Sequence, residues 1–444
     1  MVDAQFTNPS STTSEPVEKV ERKKVAVIGA GISGLSCAYL LADKYQVEVF
    51  EAGDELGGHT ATKTVSFAGE QYNVDTGFIV FNDRTYPNFL KLLHKLGVDY
   101  QKTSMGFSVT NRITGYEYAG TSLNGLFAQR RNWLNVKHWR LLGDLVRFNK
   151  LCTRLYKENS IPDVSLGDFL VAEGFSRFFS AHYILPMVSA IWSSGIATAA
   201  NMPLQFFIHF FHNHGLLTIT EQPQWYTICG GSKSYLAPLT AKYQQSIHLG
   251  CPVTSIKRNA QGVIVSTRKF GEQLFDEVVL ACHSDQALKL LADPSPDEYE
   301  ILSEIPYSNN RVQLHTDHNL LPRAEQAWAS WNYLIPPAQA AASAEQGEAA
   351  VLTYNMNMLQ HLQAPATFCV SLNAEHLVDA TKTLGIYDYA HPVFTRESVA
   401  AQTRWSDISG TNHTHYCGAY WHNGFHEDGL VSGIRVARFL GADW

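Results

Sequence analysis

A glycine-rich segment near the start of the chain constrains the fold more than any other part of the sequence. Residues 25–28 form an apolar run, short and rich in β-branched side chains, as is typical of a buried parallel strand. Three glycines with the spacing GxGxxG follow at Gly29, Gly31 and Gly34. The first permits a tight turn, the second lets a pyrophosphate reach the backbone, and the third lets the next helix pack closely on the strand. This segment predicts a dinucleotide-binding βαβ unit.

The residues after the glycines complete the unit. A helix is predicted over residues 34–44, and the amides at its start, with Ile32 and Ser33 in the turn, would face phosphate groups. A second strand, residues 47–50, ends at Glu51, about 20 residues after the second glycine. A carboxylate there accepts hydrogen bonds from both ribose hydroxyls, which disfavours NADP. The alternative is a glycine-rich turn in another α/β fold, but all these features together favour the dinucleotide unit.

The loop after Glu51 distinguishes between the adenine dinucleotides. It begins at Ala52 and leads to the pair Gly57 and Gly58, and His59 follows. Here the sequence resembles the superfamily of flavin-containing amine oxidases and phytoene desaturases, in which such a loop wraps the pyrophosphate of FAD. His59 stands where that superfamily more often has arginine, so the site carries less fixed positive charge, since histidine is mostly neutral at pH 7. The resemblance implies FAD as the cofactor.

Four later segments resemble the same superfamily. Residues 74–87 are similar to a bacterial branch of predicted NAD/FAD-binding proteins, and contain an Asp-x-Gly segment that lies beside the isoalloxazine ring in the superfamily. Residues 230–239 resemble a Gly-Gly turn that leads into a helix, and residues 247–256 a strand pair whose valine backbone contacts adenine. Residues 278–283 resemble the strand that re-enters the nucleotide-binding sheet. For FAD contact the resemblance implies Thr76, Gly77, Val253 and Ala281.

The C-terminal part resembles the other half of such a site. Residues 416–419 are similar to the strand that holds the ribityl chain, although Ala419 replaces the usual acid. Residues 424–433 resemble the closing motif, a turn that directs the N-terminus of a helix at the electron-rich edge of the flavin and so stabilises the reduced form. An alternative, a helix merely capped near Asp428, does not explain the glycines. The cofactor residues implied here are Gly418, Phe425, His426 and Glu427.

The chain of 444 residues is too long for one ordinary core, so two domains are expected. The expected fold class is α/β: a discontinuous Rossmann-like FAD-binding domain with an inserted α+β substrate domain, as in amine oxidases. We assign residues 23–85, 225–290 and 405–444 to the FAD-binding domain, residues 86–224 and 291–404 to the substrate domain, and residues 1–22 to a polar, disordered tail.

Alternating patterns also predict antiparallel strands. Residues 60–67 and 71–74 flank a turn and predict a hairpin. Residues 351–356 and 367–372 are strand-like and indicate a second, mostly antiparallel sheet. Between residues 336 and 350 the sequence is rich in alanine and glutamate, which predicts an exposed loop.

The predicted substrate domain is mostly helical and strongly aromatic from residue 123 to 211. Residues 178–192 are apolar around most of a helical circumference, and Pro186 is expected to kink or break the helix. Four phenylalanines follow within residues 206–211. This concentration is typical of a protein core, and it also suits a tunnel for a long apolar substrate or a face that enters a bilayer. Three histidines within residues 209–214 lack the partner spacing of a metal site, so no metal is expected.

The catalytic residues are weakly constrained. Many members of the superfamily have a lysine on a strand that corresponds to residues 310–317, and none occurs there. Gln313 or His315 takes that place, or no residue does. Tyr420 and Trp421 lie near the position of the aromatic cage of an amine oxidase. The candidates for catalysis are His315, Tyr420 and Trp421.

Composition limits partners and location. The net charge of −7 argues against nucleic acid as a partner. Seven scattered cysteines without a CxxC pair indicate reduced thiols in a cytosolic protein. Residues 1–22 lack the apolar core of a signal peptide, and no run of 18 apolar residues occurs. We expect a cytoplasmic protein, with peripheral contact to the inner membrane as an open alternative.

The resemblance leaves three functions open. The first is FAD-dependent dehydrogenation of a hydrophobic substrate, such as a methyl-branched unsaturated fatty acyl chain of a phospholipid, because the second domain is aromatic and the lysine is missing. The second is amine oxidation, the commonest named activity of the superfamily. The third is a flavin-binding protein without turnover that serves as partner to a lipid-modifying enzyme.

Overall fold

The computed structural model describes residues 22–218, 222–337 and 351–444. The predicted tail before Arg22 and most of the predicted loop at 336–350 lie outside these ranges. The strands are β1 Lys24–Ile28, β2 Gln46–Phe50, β3 Thr62–Phe67, β4 Glu70–Asp75, β5 Phe81–Asn82, β6 Tyr100–Thr103, β7 Phe107–Asn111, β8 Tyr116–Ala119, β9 Trp225–Ile228, β10 Ile247–His248, β11 Val253–Asn259, β12 Gly262–Thr267, β13 Gly271–Phe275, β14 Glu277–Leu280, β15 Tyr307–His315, β16 Trp331–Ile335, β17 Val351–Asn355, β18 Cys369–Leu372, β19 Thr383–Pro392 and β20 Thr414–Tyr416. The α-helices are α1 Ile32–Leu41, α2 Pro87–Leu96, α3 Leu123–Leu126, α4 Val136–Lys157, α5 Leu166–Ala172, α6 Arg177–Phe179, α7 Leu185–Ile191, α8 Ile196–Asn201, α9 Leu204–Asn213, α10 Leu236–Thr240, α11 Ser284–Leu290, α12 Pro296–Ser303, α13 Met356–Gln360, α14 Arg396–Thr403, α15 Trp405–Ile408 and α16 His426–Phe439.

A parallel sheet with the order β10–β2–β1–β14–β20 carries the predicted dinucleotide unit. Its central strands β1 and β14 are buried on both faces over residues 25–28 and 278–280, which explains their continuous apolar sequences. The helix after the glycine turn, α1, begins at Ile32 and ends at Leu41, two and three residues earlier than the predicted limits. The predicted βαβ unit is therefore present.

A second, larger sheet has seven strands in the order β19–β15–β18–β17–β16–β7–β8. Its pairs are antiparallel except β16 with β7, which is parallel. The hairpin predicted after residue 60 is formed by β3 and β4, with Thr62 opposite Asp75. The mixed α/β class is thus confirmed, while the division into domains stays a prediction.

The aromatic segment of residues 178–211 forms the core of a layer of helices. Phe179, Phe207 and Phe211 are almost completely buried there. Pro186 does not break the helix: residues 180–184 form a π-helical turn in which the N–H of Leu185 bonds to the carbonyl of Ser180, and α7 continues from there. Among the described residues, no helix combines the length and apolar character needed to cross a membrane.

Two glycines hold the C-terminal helix against the first helix. A Cβ at Gly429 would lie 2.8 Å from Cγ2 of Ile32, and a Cβ at Gly433 would overlap the carbonyl oxygen of Ser33. The helices therefore approach each other more closely than any side chain at these positions allows. This contact brings residues from opposite ends of the chain to the same edge of the parallel sheet.

We predict that Gly433→Ala lowers the free energy of unfolding by about 1–3 kcal/mol, because the methyl group forces α1 and α16 apart. Urea unfolding of the apoprotein measures the effect. Gly143→Ala, within α4, is the control, since no heavy atom lies within 4 Å of the added Cβ. A Gly433→Ala protein as stable as the wild type would contradict the close-packing argument.

Candidate active site

The glycine turn and the Gly57–Gly58 loop lie side by side beyond the carboxyl ends of β1 and β2. Gly57 donates its N–H to the carbonyl of Ala30 at 2.9 Å, and a Cβ at Gly58 would lie 3.3 Å from Cα of Gly31. At Gly31, the N-cap of α1, no heavy atom lies within 4 Å of the position that a Cβ would take. The turn thus leaves space before the N-terminal amides of α1, where a phosphate group is stabilised.

Glu51 lies at one side of this turn, as predicted for a ribose-binding acid. Its carboxylate accepts the N–H of Ala30 at 2.7 Å and that of Gly53 at 2.8 Å, one on each oxygen. Each oxygen keeps a further lone pair for a ligand hydroxyl. Ala52 is exposed beside it, and Val253 starts β11 two residues after Cys251, whose N–H bonds to the Glu51 carbonyl at 2.8 Å.

The end of β14 closes the other side of the turn. Gly29 has φ +107°, and a Cβ there would lie 2.8 Å from the carbonyl oxygen of Ala281. A Cβ at Gly34 would lie 3.0 Å from Cβ of Ala281. Only glycine fits at Gly29, in conformation and in space. The structure therefore brings Ala281 to the glycine turn, where the sequence predicted it.

A second wall starts at His59 and reaches the large sheet. Gly77 packs directly on the carbonyl of His59, so that no Cβ would fit there. The hydroxyl groups of Thr76 and Tyr389 are 2.8 Å apart. The ring of His59 lies 5.2 Å from those of Tyr389 and His391, centroid to centroid. Thr76 and Gly77 thus join the nucleotide-binding loops to β19.

Three histidines, His59, His283 and His391, form what we call the imidazole cluster. Burial, together with repulsion from His283, lowers the pKa of His59 to about 4. Burial, together with repulsion from His59 and His283, lowers the pKa of His391 to about 3. Burial also lowers the pKa of His283. At pH 7 the cluster is therefore neutral. It supplies hydrogen-bonding groups without positive charge.

Aromatic rings surround the cluster on the side of β15 and β20. Tyr307 stacks on His283 with the ring centroids 4.1 Å apart, and lies 6.4 Å from Tyr420. Tyr420 and Trp421 are buried, with their rings 5.0 Å apart. Two of the three catalytic candidates thus lie near the cluster, against the C-terminal glycine motif.

Comparison with known proteins decides the family. Residues 32–331, about two thirds of the chain, match the family described as flavin containing amine oxidoreductase. This chain belongs to that family. The resemblance inferred from the glycine motifs is confirmed, and the flavin cofactor and oxidoreductase chemistry follow from it.

Curated relatives share only short segments with this family member. This chain is 33% identical to the carotenoid φ-ring synthase of Chlorobaculum tepidum over 108 residues. The matched segment makes up 23% of this chain and 16% of that protein. The chain is 40% identical over 77 residues to the 15-cis-phytoene desaturase of Synechococcus elongatus, 17% of this chain and 15% of that one. The matches span less than a fifth of the relatives' own length.

Solved structures extend the likeness to the whole fold. Cyclohexylamine oxidase from Brevibacterium oxydans superposes with a TM-score of 0.66 at 14% identity, over 94% of this chain and 98% of the other. The fatty acid isomerase from P. acnes that produces CLA gives a TM-score of 0.64 at 16% identity, over 94% and 98%. At these identities the comparison establishes the fold.

The residues present fit FAD. The space at Gly31 and the acid at Glu51 suit the pyrophosphate and the ribose. Among the described residues, Nε2 of His59 and the hydroxyl of Tyr420 are buried without a hydrogen-bond partner. Buried polar atoms are rarely left unsatisfied, and a bound cofactor would supply partners for these two.

The N-terminus of α16 lies at the same place. The ring of His426 stacks on Phe78 at 3.8 Å, and its Nε2 lies 2.9 Å from the hydroxyl of Tyr235. Burial lowers the pKa of His426 to about 3. Gly418 donates its N–H to Oγ of Ser432 at 3.0 Å, which fixes the preceding turn on α16. The helix can thus offer its amides to the electron-rich edge of a flavin without an ionised histidine beside them.

Two predicted cofactor residues can contribute only their backbone. The ring of Phe425 turns into the helical layer and stacks on Phe210 at 5.0 Å. The Glu427 carboxylate caps α2: it accepts the backbone N–H groups of Asn88 and Phe89 at 2.9 and 2.8 Å. Both side chains therefore have structural roles, and the contribution of backbone amides from this turn to the cofactor stays a prediction.

His315 is not part of this site. Tyr307 and His315 are the two ends of β15, eight residues or about 26 Å apart, and only Tyr307 reaches the imidazole cluster. Both ring nitrogens of His315 are occupied, by Oγ of Ser371 at 2.8 Å and by the N–H of Asp317 at 3.0 Å. The prediction of a catalytic His315 is corrected on these grounds.

The sequence interpretation missed His283, Tyr307, Tyr389 and His391. One signal was available on β19, where Tyr387, Tyr389 and His391 lie at every second position and so share one face. His283 lies three residues after the end of β14, the strand whose end was already expected at the nucleotide-binding edge.

We predict that Gly31→Val abolishes flavin retention without unfolding the apoprotein, because the new side chain fills space that is open in the protein but required by the pyrophosphate. The absorbance of bound flavin relative to protein, and the thermal midpoint of the apoprotein, measure the two effects. Gly143→Val, also at an open position, is expected to retain flavin. A fully yellow Gly31→Val protein would refute the assignment.

The low pKa of His426 predicts a pH dependence of stability. The unfolded chain binds a proton at this histidine below about pH 6.5 and the folded chain does not until about pH 3, so stability falls as the pH drops between these values. We expect His426→Gln to flatten this fall, measured as the thermal midpoint of the holoenzyme against pH. His94→Gln is the control, since His94 is exposed and also bonds a tyrosine hydroxyl. Equal slopes in both variants would contradict the assignment.

Proposed function

We propose that this flavoprotein dehydrogenates a neutral, hydrophobic substrate, namely the acyl chain of a lipid such as a methyl-branched unsaturated fatty acid. One observation carries the proposal: the site is lined by neutral imidazoles and aromatic rings. Of the titratable cluster members, His59 and His391 have their pKa values lowered to about 4 and about 3. Such a lining binds a chain without charge and provides no partner for a charged group.

Most of the charged groups nearby are paired within the protein. Asp75 accepts hydrogen bonds from Ser232 at 2.9 Å, and Glu427 caps α2. Asp285 pairs with Lys289 at 2.9 Å through one oxygen, while its other oxygen is buried without a partner. On β15 the cation is Arg311, which points to the exposed Asp388 instead. Apart from the second oxygen of Asp285, a cationic amine would find no free carboxylate among these groups.

The apolar side of the site supports the same substrate class. The stack of Phe425 on Phe210 joins the start of α16 to the aromatic core of the helical layer. The indole N–H of Trp192 bonds to the Asn423 carbonyl at 3.3 Å, which holds this layer to the C-terminal motif. The fold is shared with a fatty acid isomerase, which acts on an acyl chain.

When bound, FAD would supply the acceptor for a hydride equivalent from a substrate carbon. The part of the protein is to exclude water, to position the chain, and to stabilise negative charge at the N-terminus of α16. The hydroxyl pair of Thr76 and Tyr389, 2.8 Å apart, fixes the loop after β4 to β19. The imidazole cluster can accept or donate a hydrogen bond without changing charge.

Amine oxidation is the second candidate. Tyr307 and Tyr420 place two aromatic rings near the imidazole cluster, edge to face with centroids 6.4 Å apart, and an aromatic lining also suits an amine. The fold is shared with cyclohexylamine oxidase. Serving without turnover as the flavin-bearing partner of a lipid-modifying enzyme is the third.

We predict that anaerobic mixing with phospholipid that carries methyl-branched unsaturated chains bleaches the flavin absorbance at about 450 nm. Cyclohexylamine and polyamines are the comparison substrates, and flavin-free Gly31→Val protein is the control for light scattering. Bleaching by amines alone would establish the second function instead. A flavin that no substrate bleaches would favour the third.

A further inference from the structure

An exposed apolar surface lies far along the chain from the flavin motifs. It consists of Leu123, Trp133, Leu134, Val136 and Trp139, and we call it the 123–139 surface. Leu134 and Val136 are 90% and 80% exposed, and both tryptophans are about half exposed. A soluble protein rarely exposes so many large apolar side chains within one short segment, so this surface indicates contact with another body.

Ring stacking and hydrogen bonds fix the conformation of the 123–139 surface. Trp133 stacks on the buried ring of Phe127, with centroids 3.8 Å apart and an interplanar angle of 11°. The indole N–H of Trp139 bonds to the Trp133 carbonyl at 3.0 Å. Asn135 caps α4 by accepting the N–H of Lys137 at 3.0 Å. The exposed side chains are therefore held outward by a fixed backbone.

The surroundings of this surface are basic, although the chain as a whole is acidic with a net charge of −7. No aspartate or glutamate occurs between Glu117 and Asp144. Within that interval lie four exposed cations, and none of them forms an ion pair with a carboxylate of the described residues: Arg130, Arg131, Lys137 and Arg140. α4 as a whole carries six basic residues and one acidic residue.

We propose that the 123–139 surface docks this enzyme on an anionic lipid bilayer. Tryptophan and leucine side chains that project from a fixed loop partition into the headgroup region of a membrane, and the flanking cations are attracted by anionic headgroups. A second copy of the chain is disfavoured as the occupant, because a symmetric contact would place the same unpaired cations opposite each other.

The docking surface is connected to the flavin site by the helical layer. On its inner face α4 packs Leu141, Phe148 and Cys152 into the same aromatic core that contains Phe210, which contacts Phe425. The inference rests on the proposed function in one respect only: the bilayer is the source of the acyl chains that the enzyme is proposed to dehydrogenate. Binding to vesicles is measured without turnover, so a failure of docking and a failure of dehydrogenation are distinguished.

The test is sedimentation of the holoenzyme with vesicles of phosphatidylcholine, with and without about 30 mol% phosphatidylglycerol. We expect binding to the anionic vesicles and at least about tenfold weaker binding to the neutral ones. Raising the salt from about 0.1 M to about 1 M is expected to release most of the protein, because the cations are exposed and screened. Absence of binding to anionic vesicles at low salt would overturn the proposal.

Two paired variants locate the surface. Leu134→Ser with Val136→Ser is expected to weaken vesicle binding about tenfold, with Leu274→Ser, at another exposed leucine, as the control. Lys137→Glu with Arg140→Glu is expected to weaken it by more than about tenfold. The control for charge is Arg268→Glu with Lys269→Glu, which makes the same change in net charge at exposed positions of β12–β13.

Equal loss of binding in test and control variants would overturn the assignment to this surface, since a general effect of charge or apolarity would then suffice. Analytical ultracentrifugation of the same proteins tests the other occupant. A wild-type dimer that Leu134→Ser with Val136→Ser dissociates would assign the surface to self-association and refute the membrane proposal.

Discussion

The close packing of α1 on α16 is the contact on which the active site depends. Ile32 and Ser33 meet Gly429, and Ser33 and Cys37 meet Gly433, so the two helices run parallel and begin at the same edge of the sheet. Their dipoles are then aligned side by side, and two positive ends lie close together. This arrangement is unfavourable on its own and is offset when an anion occupies the space before the N-termini. A pyrophosphate at α1 and a reduced flavin at α16 would provide that negative charge.

Features set by neighbouring residues could be predicted from the sequence, and features set by topology could not. The glycine turn and the hairpin β3–β4 each depend on conformations that a few residues determine. The place of His315 depends on which end of β15 faces the cofactor, and the sequence has no signal for that choice. Glu427 likewise serves α2, more than 300 residues away in the chain, instead of its own helix. The helix motif was recognised, but the direction of this side chain followed from the tertiary packing.

Burial of the aromatic segment shows a similar limit. Residues 178–211 are more apolar than residues 123–139, and their sequence is typical of a core, with a bilayer face as an open alternative. In the structure α4 and α9 cover the phenylalanines, while the apolar residues left exposed are those interspersed with arginine and lysine. Which apolar faces become buried depends on how the helices pack together. Every helix in the layer has an apolar face, and the sequence does not show which of these faces meet. The mixed apolar and basic character of residues 123–139 was visible, but its exposure was not.

Electrostatics links the flavin site to this surface. Four histidines near the cofactor, His59, His283, His391 and His426, are kept neutral by burial, and the protein takes the cost in stability below about pH 6.5. A site that keeps its histidines neutral, and most of whose carboxylates are already bonded, gains little from a charged substrate. An acyl chain needs no counter-charge but must be withdrawn from a bilayer, where its transfer through water costs about 0.8 kcal/mol for each methylene group. Docking at the membrane would remove that cost, because the chain could then pass from lipid to the aromatic layer without crossing water.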